Sequence, residues 1–248
     1  DAILVAIPKR YKRFPDSEVT PPHHLVKSFP KLKFLECEDY GPATKLIPAL
    51  DMEGGGAEDI LITVDDDMQY SPTLIENLLH FSQKYPEDVI AHVGYNLKGE
   101  PVMHPNFQYI RFTSSPAVVD IIGGYLGVLY KRRFLDPAVV KQNLLSGIES
   151  AWWVDDDFLS GQVAAAGVGR RVVPCANNAC KLKPTTFIDG LNAYADNNKT
   201  QIFRQSEVRS LTLYPTSRTH AQREEARERE STERDTHREK ARDRETER

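Results

Sequence analysis

The run Ile60-Leu61-Ile62-Thr63-Val64 ends directly in three acids, Asp65-Asp66-Asp67. A β-branched run of this length reads as a strand covered on both faces, and open α/β sheets collect ligands beyond the carboxyl ends of such strands. Three adjacent carboxylates repel one another and call for a counter-charge. A hard divalent cation supplies it most simply, magnesium or manganese held by one or two carboxylates and completed by substrate phosphates. An ion held this way stabilises a departing diphosphate. The plainer alternative is that the acids cap the next turn or stay solvated.

Working outward, residues 2–7 form an apolar run closed by Pro8, which predicts a first buried strand. A basic, aromatic loop follows, Lys9-Arg10-Tyr11-Lys12-Arg13. Residues 32–38 alternate as a second strand, and Gly41-Pro42-Ala43-Thr44-Lys45 leads into a helix over 43–50. Ser71-Pro72 opens a helix over 73–85 with Leu74, Ile75, Leu78, Leu79 and Phe81 on its apolar face. Further strands are expected at 89–94, 117–122, 125–130 and 170–174, with an irregular stretch between 95 and 116. A second acidic triplet, Asp155-Asp156-Asp157, precedes a helix over 158–166 that ends at Gly167. Strands alternating with helices predict an α/β fold with a mainly parallel central sheet flanked by helices.

From Thr216 to Arg248 there is no Val, Ile, Leu, Met, Phe, Tyr or Trp, so that stretch cannot bury enough apolar surface to offset the entropy of ordering. The expected organisation is a single domain over 1–214 and a charged tail over 215–248, disordered or a solvated helix. The tail mixes both signs of charge and the chain carries a net charge of −4, neither of which suits a nucleic-acid partner. No apolar run approaches a membrane span. Cys37, Cys175 and Cys180 make an odd count without a secretory leader, which predicts free thiols and a cytoplasmic, reducing location. The Cys175–Cys180 spacing is too long for a usual zinc knuckle. A monomer or weak oligomer is expected.

Loops that follow strands should gather at one sheet edge. There Arg10, Lys12, Arg13 and Lys45 are candidates to neutralise phosphates, Tyr11 to lie against a base, and Asp39 to accept from a base or ribose. Solvated basic residues and an Asp39 helix cap are the alternatives. Within Asp155-Asp156-Asp157 a helix N-terminus favours an ionised carboxylate, as a general base requires. Trp152 and Trp153 offer aromatic faces of the kind that stack on sugars, or else belong to the core. Gly123-Gly124 allows close backbone approach to a ligand, or simply a turn.

The order AILVAIPKRY, ECEDYGPATKL, ILITVDDDMQY, IIGGYLGVLYKRRF and WWVDDDFLSGQVAAAG resembles the nucleotide-sugar-dependent glycosyltransferases of the GT-A fold, over about residues 1–190. It is similar in particular to the compact domains encoded by large algal DNA viruses, including chlorella-infecting ones, and to a broader cytosolic family with GPxTKL and DDD motifs. The resemblance implies a metal-dependent hexosyltransferase with a UDP-sugar donor and a glycan acceptor, a viral capsid-protein glycan in the viral case, acting in the host cytoplasm. It implies a donor site of Pro8, Arg10, Tyr11, Asp39, Thr44, Lys45, Asp65 and Asp66, and metal ligands Asp67 and Asp65 for manganese or magnesium. Gly123, Gly124, Trp152 and Trp153 fall on the acceptor side. Such families place the base eleven residues before the glycine ending the late helix, which selects Asp156 over Asp155 and Asp157. The usual late histidine ligand is missing, with Lys181 or Lys183 as alternative diphosphate contacts, and the stereochemical course stays open. Nucleotidyl transfer and a non-catalytic carbohydrate-binding module are the competing readings.

Overall fold

The computed structural model describes residues 1–98, 106–147, 149–175, 180 and 182–184. The strands are β1 (Ile3–Pro8), β2 (Arg10–Tyr11), β3 (Phe14–Glu18), β4 (Leu32–Cys37), β5 (Ile60–Thr63), β6 (Met68–Tyr70), β7 (Asp88–Ala91), β8 (Val93–Lys98), β9 (Asn106–Arg111), β10 (Ala117–Val118), β11 (Ile121–Ile122), β12 (Val128–Lys131), β13 (Gly169–Val172) and β14 (Leu182–Pro184). The helices are α1 (His24–Ser28), α2 (Ile47–Leu50), α3 (Leu74–Lys84), α4 (Pro137–Ser146), α5 (Glu149–Trp153) and α6 (Asp155–Ala165). Short 3-10 turns cover Ala43–Lys45, Gly124–Leu126 and Arg132–Phe134. The tail 215–248, the end of the expected domain and Lys181 lie outside the described residues, as does the side chain of Lys183.

The fold is mixed α/β. Its largest sheet has five strands in the order β10-β13-β7-β12-β5, with β13 and β7 parallel and every other neighbour antiparallel. The expected mainly parallel sheet is therefore corrected. Strand β12 inserts between β5 and β7 and runs against both, and the chain enters it from Gly127, a residue at φ 83°. Parallel pairing does hold between β1 and β4, which form a separate two-stranded sheet.

Period-2 alternation explains the layering. Val89, Ala91, Val128 and Tyr130 pack on one face with Leu46, Ile47, Val140, Phe158, Leu159 and Val163. Ile90 and Leu129 point the other way, onto Leu74, Leu78 and Phe81 of α3. Helices thus cover both faces at β7 and β12. Across β7 and β13, Arg171 Nε donates to Asp88 Oδ2 at 2.6 Å, and the guanidinium lies 4.1 Å from the Tyr85 ring centroid. This pins a buried charge in the parallel pair.

Several local readings change. β5 is an edge strand whose centre is covered on both faces, Leu61 packing on one core cluster and Ile62 on the α3 cluster, while Ile60 and Val64 at its ends are each 43% exposed. In β1, Ile3 is 59% exposed, because its only strand partner among the described residues is β4. The expected apolar face of α3 loses Ile75, which faces solvent. The single strand expected over 117–122 breaks at Asp120. Its carboxylate accepts the Leu97 N–H at 2.9 Å and its own N–H donates to Asn96 Oδ1 at 3.0 Å, so the chain leaves the large sheet for a smaller one. That smaller sheet has the order β11-β8-β9 and replaces the irregular stretch expected after residue 95. Helix α4 adds to the elements expected from the sequence, and Asp136 caps it by accepting from Ala138 N at 2.8 Å with Pro137 beside it. Free thiols were expected at 175 and 180, but Cys175 and Cys180 form a disulfide and only Cys37 is free. The inference of a reducing compartment loses its ground. No helix among the described residues is long and apolar enough to cross a membrane.

Candidate functional site

The first triplet sits between β5 and β6, and the second occupies the first turn of α6, where the helix dipole favours negative charge. One side chain joins them. Lys45, at the end of the 3-10 turn after Pro42, lies 2.6 Å from Asp65 Oδ1 and 3.0 Å from Asp155 Oδ2. The lysine contact with Asp65 is a hydrogen bond, whereas Asp155 Oδ2 is buried without a hydrogen bond of acceptable direction, so the second contact is an ion pair only. The carboxylates of Asp155, Asp65 and Asp156 hold the Lys45 ammonium well above the usual lysine range against the opposing effect of burial.

Asp156 points to the glycine segment. Its Oδ1 accepts the Gly124 N–H at 2.8 Å, and one helical turn later Ser160 Oγ accepts the Ile122 N–H at 2.9 Å. Residues 156 and 160 share a helix face, so α6 docks on residues 122–124 through two bonds. A Cβ at Gly124 would stand 2.7 Å from Asp156 Oδ1 and 3.1 Å from Lys45 Nζ. Only glycine lets the backbone approach this closely. Burial, then Asp155, pushes the Asp156 carboxyl well above the usual carboxylate range, while Lys45 and the Gly124 N–H pull it back. Beneath the acids, burial and then Asp156 and Asp155 also raise the Tyr130 phenol.

Two tyrosines missed in the sequence complete the frame. Tyr70 Oη accepts the Asp65 N–H at 2.8 Å and donates to the Tyr125 carbonyl at 3.1 Å, which fixes the first triplet to the residue after Gly124. Burial pushes the Tyr70 phenol up to about 12. Its place five residues after Asp65, at the end of the same motif, was the available signal.

The remaining expected residues are placed as follows. Asp66 is exposed and Asp67 half-buried beside Asp65. Asp39 bridges loops, its Oδ2 accepting Lys12 N at 2.6 Å and its Oδ1 accepting Gly41 N at 2.9 Å. Tyr11 is half-buried, and its phenol is raised by burial and then by Asp39, Cys37 and Asp66. Arg10 is exposed, and Pro8 is buried at the end of β1. Thr44 Oγ1 accepts Tyr40 N at 2.9 Å, so it shapes the turn that presents Lys45. Gly123 is packed so closely that a Cβ would stand 2.9 Å from Val93 Cγ1. Trp152 is a core residue, buried against Gly41 with the Lys12 ammonium 4.8 Å from its ring centroid, while Trp153 is half-buried and meets it edge-on.

The donor set fits a hard cation in one respect. Asp65 and the half-buried Asp67 offer oxygen ligands at a strand end, the number a magnesium or manganese ion takes when substrate phosphates complete its shell. Among the described residues the only preformed group of three or more potential ligands is His92, Cys175 and Cys180, and two of these are joined as a disulfide. Compared with protein-family models and with the curated proteins, the chain matches none.

Proposed function

We propose that the chain is a GT-A-type, metal-dependent glycosyltransferase that moves a hexose or deoxyhexose from a UDP-sugar to a sugar hydroxyl. The observation that carries this reading is the Lys45 bridge, which brings a strand-end triplet and a helix-start triplet to one place with opposite needs. A divalent cation on Asp65 and Asp67 would supply neutralisation of the diphosphate as it leaves. Lys45 provides a fixed positive charge on the same side. Tyr11 lies near Asp39 and Asp66, where a base and ribose would be received.

On the other side, Asp156 serves as the base. It accepts the proton of the acceptor hydroxyl as that oxygen bonds to the anomeric carbon, the bond from that carbon to the diphosphate breaks, and UDP departs. Burial pushes this carboxyl up from the ordinary carboxylate range, the direction that makes it a stronger proton acceptor. Because the carboxyl must be ionised to accept a proton, the rate rises with pH through its folded-state value.

The test is Asp67→Ala in titration calorimetry with UDP and manganese. Loss of manganese-dependent UDP binding is expected, and unchanged affinity would refute the metal assignment. Incubation of the wild-type chain with UDP-sugars and sugar acceptors should release UDP. Release of pyrophosphate from UTP and a sugar 1-phosphate, offered in a parallel incubation, would instead establish nucleotidyl transfer.

A further inference from the structure

Of the expected aromatic wall, Trp152 and Trp153, the first is taken up by the core and the second is half-buried and meets it edge-on. A different set of rings stands beside the glycine segment that holds Asp156. Tyr95 of β8 and Tyr109 of β9 are directly opposite partners in an antiparallel pair, their centroids 5.1 Å apart. Residues two apart on a strand share a face, so Arg111 follows Tyr109 on that face. The Arg111 guanidinium lies 5.7 Å from the Tyr125 centroid and 4.2 Å from that of Phe112. The Tyr109 and Tyr125 hydroxyls are hydrogen-bonded to each other. Tyr109 is 47% exposed and Phe112 60%, and Phe112 is held outward at φ 53°, a region bulky residues rarely adopt.

This face touches the site at two points. A Cβ on Gly123 would lie 3.5 Å from Tyr95 Cε2, and Tyr125 directly follows Gly124, whose N–H binds Asp156. The exposed Tyr109 ring, beside the half-buried Tyr95 and Tyr125 rings and the Arg111 guanidinium, complements a sugar, which presents apolar C–H faces for stacking and hydroxyls for hydrogen bonding. We propose that Tyr95, Tyr109, Tyr125 and Arg111 form the acceptor subsite, which binds a neutral sugar ring with one hydroxyl toward Asp156. This rests on the transferase reading and names where its second substrate sits.

The experiment is saturation-transfer difference NMR on the full chain with UDP and manganese, using methyl glycosides of glucose, galactose, mannose, xylose and rhamnose as probes. Tyr109→Ala removes an exposed side chain and should leave the fold intact, as circular dichroism would verify. At least one glycoside is expected to bind the wild-type chain, with affinity about five- to tenfold weaker in Tyr109→Ala, the loss of one stacking face. UDP affinity should remain unchanged in that variant. Absence of any glycoside signal, or equal signals from both proteins, would overturn the subsite. Failure of the wild-type chain to bind UDP, with Tyr109-dependent sugar binding retained, would remove the transferase reading and leave the sugar site standing.

Discussion

Replacing Lys45 by methionine keeps the approximate length of the side chain and deletes the ammonium that, among the described residues, joins the two triplets. Removing one partner of a buried ion pair costs about 3–5 kcal/mol, because the other charge is left uncompensated. Lys45 and Asp65 side chains are 22% and 28% exposed, so water recovers part of the loss. About 3 kcal/mol is expected at pH 8, the low end of that range. For a domain of this size it lowers Tm by about 6–12 °C. The pH dependence carries the diagnosis. A lysine whose folded pKa is raised contributes its full stability below the unfolded value of about 10.4, so over pH 5–8 its own contribution is constant. Asp156 is an acid whose folded pKa is raised, so the folded state binds its proton more tightly and gains stability as pH falls. Without Lys45 that pKa climbs further, and the cost of the substitution should shrink from pH 8 to pH 5. Urea unfolding followed by tryptophan fluorescence at both pH values measures it. A loss below about 1 kcal/mol at pH 8, the scale of an exposed pair, would refute the keystone role. So would an equal loss at both pH values.

Gly41→Ala should destabilise by more than about 2 kcal/mol, because φ is 59° and the added Cβ would stand 2.2 Å from the Trp152 carbonyl oxygen. A shift in urea midpoint worth less than about 1 kcal/mol would contradict that packing. Reducing Cys175–Cys180, which closes a loop of sequence separation 5, should cost about 2 kcal/mol by loop entropy and lower Tm by about 4–8 °C. An unchanged Tm in calorimetry with a phosphine reductant would show that the bridge adds no stability.

Apolar periodicity, a local property, made strands β1, β4, β5, β7 and β12 and helices α3 and α6 legible in the sequence. The sequence also located both acidic triplets at element boundaries and tied Asp156 to the start of α6, since helix starts carry their own chemistry. Strand order was beyond it. The apolar runs of β5 and β1 look like central strands, yet β5 is an edge and β1 pairs outside the large sheet, since burial depends on what stacks later. Val93–Lys98 and Asn106–Arg111 carry a period-2 signal, but only their pairing, with Tyr95 opposite Tyr109, makes the two segments one tyrosine face.

Separation in the chain is what limits such reading. Lys45 lies 20 residues from Asp65 and far from Asp155 in sequence, and no spacing rule joins a turn after β4 to a strand end and a helix start. Sequence determined that two acidic clusters exist and which elements bear them. Only the tertiary structure decided that they share one lysine, that Gly124 must lack a side chain to reach Asp156, and that Trp152 belongs to the core. The physical reason is the same in each case: electrostatic pairing and close packing act between side chains that meet in space, whatever their distance along the chain.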